Sequence, residues 1–328
     1  MTTRRRFLHT AAGSAAAAAL PAFAQQAGWP RQPITIVDPF PAGNNTDYFS
    51  RLTADRLTQV LGAQVIVENR AGAAGLIGAT YVAKAKPDGY TLGLASVSTL
   101  CSGPAVHPAS SVKYDPLKDF SFITKLVTLP SLLVANPKLP ARDFKELRAM
   151  AKAQPGRVSC GIPGLGSAGH VLTEYLMKLA DMRLLIVPYK SGSTMLTDLI
   201  SGQLDVLSNN IPELLPHVKT GAIRALAVRD TRRLAALPDI PTYKELGLPE
   251  VSQPLWFGLV APAGVPEPIL AKLRAATHKA MVDPVFVDKT INVSGSISPT
   301  SGEEFRKDAA ALLAQMQQVV KSAGIKPE

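Results

Sequence analysis

Strand-like and helix-like runs alternate along this chain between residues 34 and 95, and that alternation restricts the fold more than any other feature. Ile34-Thr35-Ile36-Val37 reads as a strand, and 47–61 follows as a helix with Phe49, Leu52, Leu57 and Val60 apolar. Val65-Ile66-Val67 is a second strand. A small-residue helix over 73–86 is closed by Pro87-Asp88-Gly89, and 90–95 is a third strand. A β-α-β-α-β order calls for parallel strands with helices on the sheet faces.

A second series follows the long apolar stretch 122–134. The pattern predicts a helix over 142–153 ending at Pro155-Gly156, a strand over 157–162, a helix from Ser167, a strand over 184–187 and a helix over 194–201. Strands at 205–208 and 223–228 come next, then a Pro-rich surface connection over 237–249 and a strand over 255–260. Two amphipathic helices are expected to close the chain. The last opens on Ser301-x-x-Glu304, the spacing of a capping box, and places Phe305, Ala309, Leu312, Met316 and Val319 on one stripe. With 328 residues there is room for about two domains. The terminal helices have no third sheet of their own to cover, so the chain is expected to leave its first lobe and later return to it. That gives lobe one as 25–127 plus 253–328 and lobe two as 128–252. The expected class is α/β, two lobes with a hinge, each a mostly parallel sheet flanked by helices.

The first 24 residues read as an address. Thr3-Arg4-Arg5-Arg6-Phe7-Leu8-His9 forms a basic head, an Ala-rich run reaches Leu20, and Ala22-Phe23-Ala24 has the small-x-small form of a cleavage site. The arginine pair before Phe-Leu fits twin-arginine export, with cleavage after Ala24; an ordinary secretory signal shares the layout. The run is shorter than the ~20 apolar residues that span a bilayer. The net charge of +10 falls to +7 once Arg4, Arg5 and Arg6 are removed, leaving a soluble periplasmic chain as the expectation. The remaining Lys and Arg are interspersed with acids and form no basic block, which argues against nucleic acid as a partner. Cys101 and Cys160 fall in different lobes, where a bridge would lock the lobes together; pairing stays open, with two buried small hydrophobes the plainer reading. No His/Cys cluster has metal-ligand spacing, and no metal or cofactor is expected.

Four loops at strand ends carry the polar chemistry: Pro41-Ala42-Gly43-Asn44-Asn45-Thr46-Asp47, Ser96-Val97-Ser98-Thr99, Gly164-Leu165-Gly166-Ser167-Ala168-Gly169-His170 and Lys190-Ser191-Gly192-Ser193-Thr194. Helix N-termini leave N–H groups unpaired and carry partial positive charge, which suits carboxylate or phosphate. In open α/β sheets such loops gather at the strand carboxyl ends, where ligands bind. One such loop alone is often only a helix cap. Gly164-x-Gly166-x-x-Gly169 has dinucleotide spacing, but the next strand ends Pro188-Tyr189-Lys190 without the acid that would hold a ribose. Ser167 is not a nucleophile elbow, because Leu165 stands where the first glycine is needed.

At these loops the chain closely resembles the solute receptors of tripartite tricarboxylate transporters, the Bug family. The resemblance spans essentially the whole chain after the leader. It rests on Pro39-Phe40-Pro41-x-Gly43-x-x-Thr46-Asp47, Val67-Glu68-Asn69-Arg70-x-Gly72, Lys86-Pro87-Asp88-Gly89-Tyr90-Thr91 and Tyr114-Asp115-Pro116-x-Lys118-Asp119-Phe120. Val187-Pro188-Tyr189-Lys190, Gly202-Gln203-x-Asp205, Leu226-Ala227-Val228, Trp256-Phe257-Gly258-Leu259 and the tail Ala323-Gly324-Ile325-Lys326-Pro327 add to it. The resemblance implies a hinged, two-lobed periplasmic binding protein of type II form. It would be a monomer, not an enzyme, that closes on a small carboxylate and delivers it to a membrane permease. A sensing role with a receptor kinase as partner would use the same pocket; a periplasmic hydrolase is the rival from another class.

Carried over residue by residue, the family's ligand contacts point to Gly43, Asn44, Asn45, Thr46 and Asp47, then Ser96, Ser98 and Thr99. In lobe two they point to Gly164, Gly166, Ser167 and His170, then Lys190, Gly192 and Ser193, with Asn209 and Asn210 after a later strand. Asp47 is expected to shape its loop rather than touch an anion, and His170 to lie on a helix face beside its loop. The chain departs from the family pattern in three places. Asn44 replaces a glycine, and asparagine tolerates a left-handed turn. Ile162-Pro163-Gly164-Leu165-Gly166 is less polar than usual, and Leu100 stands where a polar residue is common. Fewer polar groups on the pocket wall favour an aromatic or apolar acid over citrate.

Overall fold

The computed structural model describes residues 28–325; the expected leader and its cleavage point lie outside them. In chain order the strands are β1 (Ile34–Asp38), β2 (Val65–Asn69), β3 (Thr91–Ser96), β4 (Phe120–Leu129), β5 (Ser131–Ala135), β6 (Ser159–Ile162), β7 (Leu185–Pro188), β8 (Val206–Asn210), β9 (Arg224–Arg229), β10 (Leu255–Pro262) and β11 (Ser296–Ile297). The helices that matter for the site are α1 (Asn45–Leu61), α2 (Leu76–Ala83), α3 (Gly103–Val106), α4 (Phe144–Ala153), α5 (Ala168–Leu179), α6 (Gly192–Ser201) and α7 (Ile211–Lys219). Three helices, not two, close the chain: α8 (Glu267–Met281), α9 (Pro284–Asn292) and α10 (Gly302–Ala323).

The strands form a six-stranded sheet in the order β11-β4-β10-β3-β1-β2 and a five-stranded sheet in the order β7-β6-β8-β5-β9. As the opening pattern predicts, β1 lies parallel to both β2 and β3. The sheets are mixed rather than mostly parallel. β10 runs antiparallel to β3 and β4, and β5 runs antiparallel to β8 and β9. The cause is the crossing between sheets: a strand arriving from the other sheet has no crossover helix to reverse it. The apolar stretch 122–134 is thus two strands in two sheets, broken at Pro130, which has no N–H to continue a ladder. The chain returns through the Pro-rich run after β9 and re-enters the first sheet as β10.

Each sheet is buried on both faces. Ile34, Ile36, Phe49 and Leu273 pack on one side of the first sheet, and Val37, Leu76, Val260 and Phe305 on the other. Leu133, Cys160, Leu226 and Tyr243 cover one side of the second sheet, and Leu132, Met195, Leu207 and Leu214 the other. Burial on both faces explains the near-continuous apolar strands, such as the wholly buried Ser131–Ala135. Val171 and Leu172 of α5 join the cluster built on Leu100, Cys101 and Met316, so the second unit packs directly on the first. Both cysteines are buried and free. The capping box at Ser301 and Glu304 forms in both directions, and α10 buries Leu313 beside Phe305, Ala309, Met316 and Val319, with Leu312 only partly buried.

Two local readings need correction. The helix expected over 73–86 is a 3₁₀ turn followed by α2, because Ala73 and Ala74 both take positive φ. The segment opening with Ser98 is a π-helical turn over Ser98–Ser102 leading into α3.

Candidate functional site

The strand ends of both sheets open onto one cleft of about 530 Å³. On the first-sheet side its wall is the loop from Phe40 to Thr46, with Ser96, Ser98, Leu255 and Phe257. On the second-sheet side Pro163, Ser167, Ala168, Gly169 and Leu172 meet Lys190, Ser191, Gly192, Ser193 and Leu196. Ser131, Ser208, Asn209, Asn210, Glu213 and Arg229 complete it.

The first loop is shaped by two carboxylates behind it. Asp38, fully buried at the end of β1, accepts from Phe40 N at 2.9 Å, Thr46 Oγ1 at 3.0 Å and Ser50 Oγ at 2.7 Å. Burial pushes its pKa up to about 6 despite those donors. Asp47 accepts from Gly43 N at 3.0 Å, Asn69 Nδ2 at 2.9 Å and Arg51 Nε at 2.9 Å. Its burial acts to raise the pKa, but Arg51 and the two N–H donors outweigh it and hold the carboxyl below its ordinary value. Asp47 therefore shapes the loop and does not line the cleft. The left-handed turn belongs to Gly43, with φ +85°, while Asn44 is extended at φ −94°. Asn44 instead caps α1, its side chain accepting from Asp47 N at 3.0 Å.

Of the third-strand loop, Ser96 and Ser98 line the cleft and Thr99 does not. Thr99 Oγ1 turns back to accept from Ser96 N at 3.0 Å. Ser98 Oγ accepts from Ala168 N at 3.0 Å, which ties the two units together at the cleft. Leu100 lies in the core, 1% exposed, and is no part of the wall.

In the second unit Ser167 caps α5 by accepting from His170 N at 3.1 Å, and it donates to Gly164 O at 2.7 Å. His170 Nδ1 accepts from Gly166 N at 3.1 Å, and Gly166 O accepts from Ser102 Oγ at 3.1 Å. Gly164, Gly166 and His170 thus build the wall from behind and do not line it. Ser191 caps α6 by accepting from Ser193 N at 3.2 Å. Lys190 sits exposed at the rim. Asn210 precedes α7, and its Oδ1 is buried without a hydrogen-bond partner among the described residues.

The N-termini of α1, α5, α6 and α7 all border this cleft, bringing partial positive charge to it together with the first-turn N–H groups that the caps on Asp47, Ala168, His170 and Ser193 leave unused. Sequence reading missed Glu213 and Arg229. Glu213 Oε1 accepts from Asn45 Nδ2 at 2.9 Å and Oε2 from Asn209 Nδ2 at 2.8 Å, so it joins the two units. Burial raises its pKa, against the two amide donors. Arg229 is 2% exposed, and its Nη1 donates to Val251 O at 2.9 Å. The available signal was a charged residue closing the apolar run Leu226-Ala227-Val228; for Glu213 it was an acid three residues after a helix-opening asparagine.

The sequence model of the family described as tripartite tricarboxylate transporter family receptor matches residues 49–325. The chain belongs to this receptor family. Protein BugT of Bordetella pertussis is 36% identical over 261 residues, 79% of each chain. A solved Rhodopseudomonas palustris structure with adipate is 31% identical, with a TM-score of 0.85 over 92% of this chain and 100% of that one. The periplasmic binding protein BugD is 29% identical, with a TM-score of 0.83 over 92% and 100%. Receptors of this family are periplasmic solute-binding proteins of two lobes, and the two sheets described above have that architecture.

Proposed function

We propose that this receptor captures a small carboxylic acid in the cleft between its sheets and delivers it to a tripartite-type membrane permease. The observation that carries this is the convergence of four helix N-termini, from both units, on one cleft that also holds a buried arginine. An anion there gains N–H donors and dipole from two directions at once, so its binding favours approach of the two walls. The apolar share of the lining, from Phe40, Leu172, Leu196, Leu255 and Phe257, suits an acid with a hydrocarbon or aromatic body. The related structure with adipate supports a carboxylate as the ligand class. The first sheet keeps β4 through Leu129, so in this reading the lobes part at Pro130 rather than at 127, and the hinge is the pair of crossings at Pro130 and at Gln253-Pro254. The closed form is what a permease would recognise, in the periplasm.

The test is thermal unfolding of the mature protein, refolded to strip carried ligand, against a panel of mono-, di- and aromatic carboxylic acids. A ligand at 100 times its Kd stabilises by ~2.7 kcal/mol, which at ~2–4 °C per kcal/mol gives a rise of several degrees. A rise with one acid class is expected. A flat panel on folded protein would overturn the carboxylate reading.

A further inference from the structure

Helix N-termini favour an anion in this cleft, and the second-sheet wall adds two charges and an orphaned acceptor that decide where it sits. Arg229 is buried, its guanidinium carbon lies 5.3 Å from the Tyr243 ring centroid, and among the described residues its side chain donates to Val251 O. Among the described residues no carboxylate forms an ion pair with it. A guanidinium has five N–H donors, and a buried cation without a counter-charge is costly unless a ligand supplies one. Glu213 has the opposite demand. Asn45 and Asn209 fill two of its roughly four acceptor positions, leaving the others toward the cleft it lines. Asn210 Oδ1, on the same wall, is a buried acceptor with no donor among the described residues.

These groups are separated along the sheet. Ser131 of β5 pairs with Asn210 of β8 on one side and with Arg229 of β9 on the other, so the two strand ends stand about 10 Å apart. Glu213 lies beside β8, where its Oε2 accepts from Asn209 Nδ2 and a Cβ on Gly192 would meet the same oxygen. The wall therefore offers a donor-rich cation at the β9 edge and acceptors, one of them anionic, toward the central strand β8.

We propose that the cleft selects an amino-substituted carboxylic acid, with its carboxylate on Arg229 and its ammonium against Glu213 and Asn210 Oδ1. This rests on the carboxylate reading and narrows it. A dicarboxylate would set its second anion beside Glu213. A plain monoacid would leave Glu213 and Asn210 short of donors, and buried groups left unpaired are what reject the wrong ligand.

The experiment is calorimetric titration of ligand-stripped protein with two matched sets: 6-aminohexanoate, hexanoate and adipate, and 4-(aminomethyl)benzoate, 4-methylbenzoate and terephthalate. In at least one set the amino acid is expected to bind tenfold or more tighter than both partners. Glu213→Gln should reduce that preference over the diacid to less than threefold, while Arg229→Lys should weaken every acid that binds. Near-ultraviolet circular dichroism checks each variant's fold, and the wild-type panel decides the question even if a variant does not fold. Tightest binding by a diacid or a plain monoacid overturns the amino-acid inference and leaves the carboxylate reading standing. Equal preference in Glu213→Gln and wild type also overturns it. No binding by any of the six overturns both.

Discussion

Asp38 is the residue on which the first-loop geometry turns, and its titration leaves a measurable signature. Its pKa rises from an ordinary 3.8 to about 6 in the folded chain. A carboxyl with a raised folded pKa binds its proton more tightly folded than unfolded, so its contribution is fully present below pH 4 and is lost as pH climbs to 6. The loss is about 3 kcal/mol by linkage. Asp47 has the opposite sign, its lowered pKa contributing above the ordinary carboxylate range and fading in acid. Urea unfolding of wild type and Asp38→Asn at pH 4, 5, 6 and 7 separates the two: the wild type should lose stability relative to the variant from pH 4 to 6. Parallel curves would contradict it. The caps at Asn44 and Ser167 were legible in the sequence because a cap is decided by a few adjacent residues. Arg229 and Glu213 were not, because their place at the cleft follows from strand order, with β8 and β9 on either side of β5.

Among the elements, α10 shows how a local signal and a long-range contact combine. Ser301 Oγ accepts from Glu304 N at 3.1 Å while Glu304 Oε2 accepts from Ser301 N at 2.8 Å. Ser301→Ala should cost about 1 kcal/mol in urea unfolding, with little effect on ligand affinity. Phe305, one turn on, lies over Gly258 of β10. A Cβ there would come within 2.4 Å of the ring and 2.9 Å of Thr124 O. Backbone cannot yield as a flexible side chain can, so Gly258→Ala should destabilise by about 1–3 kcal/mol in the same assay. An unchanged midpoint would show that the ring and strand relax freely. Elements with plain periodicity, such as β1, α1 and α10, were readable from sequence within a few residues. α7 was not, since Pro212 and Pro216 disguise it. Pro212 sits in the first turn, where no intrahelical N–H bond is lost, while Pro216 lies inside the helix. Packing of Ile211 and Leu214 against the second sheet holds it helical.

For the whole molecule, the out-and-back path of the chain could be inferred from terminal helices lacking a sheet of their own, but the mixed strand directions could not. Direction depends on how a strand arrives from the other sheet, which no local pattern records. Hydrogen bonds between Ser98 and Ala168, Ser102 and Gly166, and Asn45 and Glu213 join the two units on the cleft side, besides one from Lys178 to Ser322 O farther along α5. If closure and binding are one event, Ser98→Ala should weaken acid binding about fivefold, the loss of one hydrogen bond of about 1 kcal/mol. Calorimetry would register that, and an unchanged affinity would place closure elsewhere. The most direct measurement is a crystal structure of the mature protein with the acid that stabilises it most. A ligand carboxylate is expected between the two sheets, within hydrogen-bonding distance of Arg229 or of the N–H groups opening α1, α5, α6 or α7. An ordered acid seated outside this cleft, with the cleft itself unchanged, would contradict it.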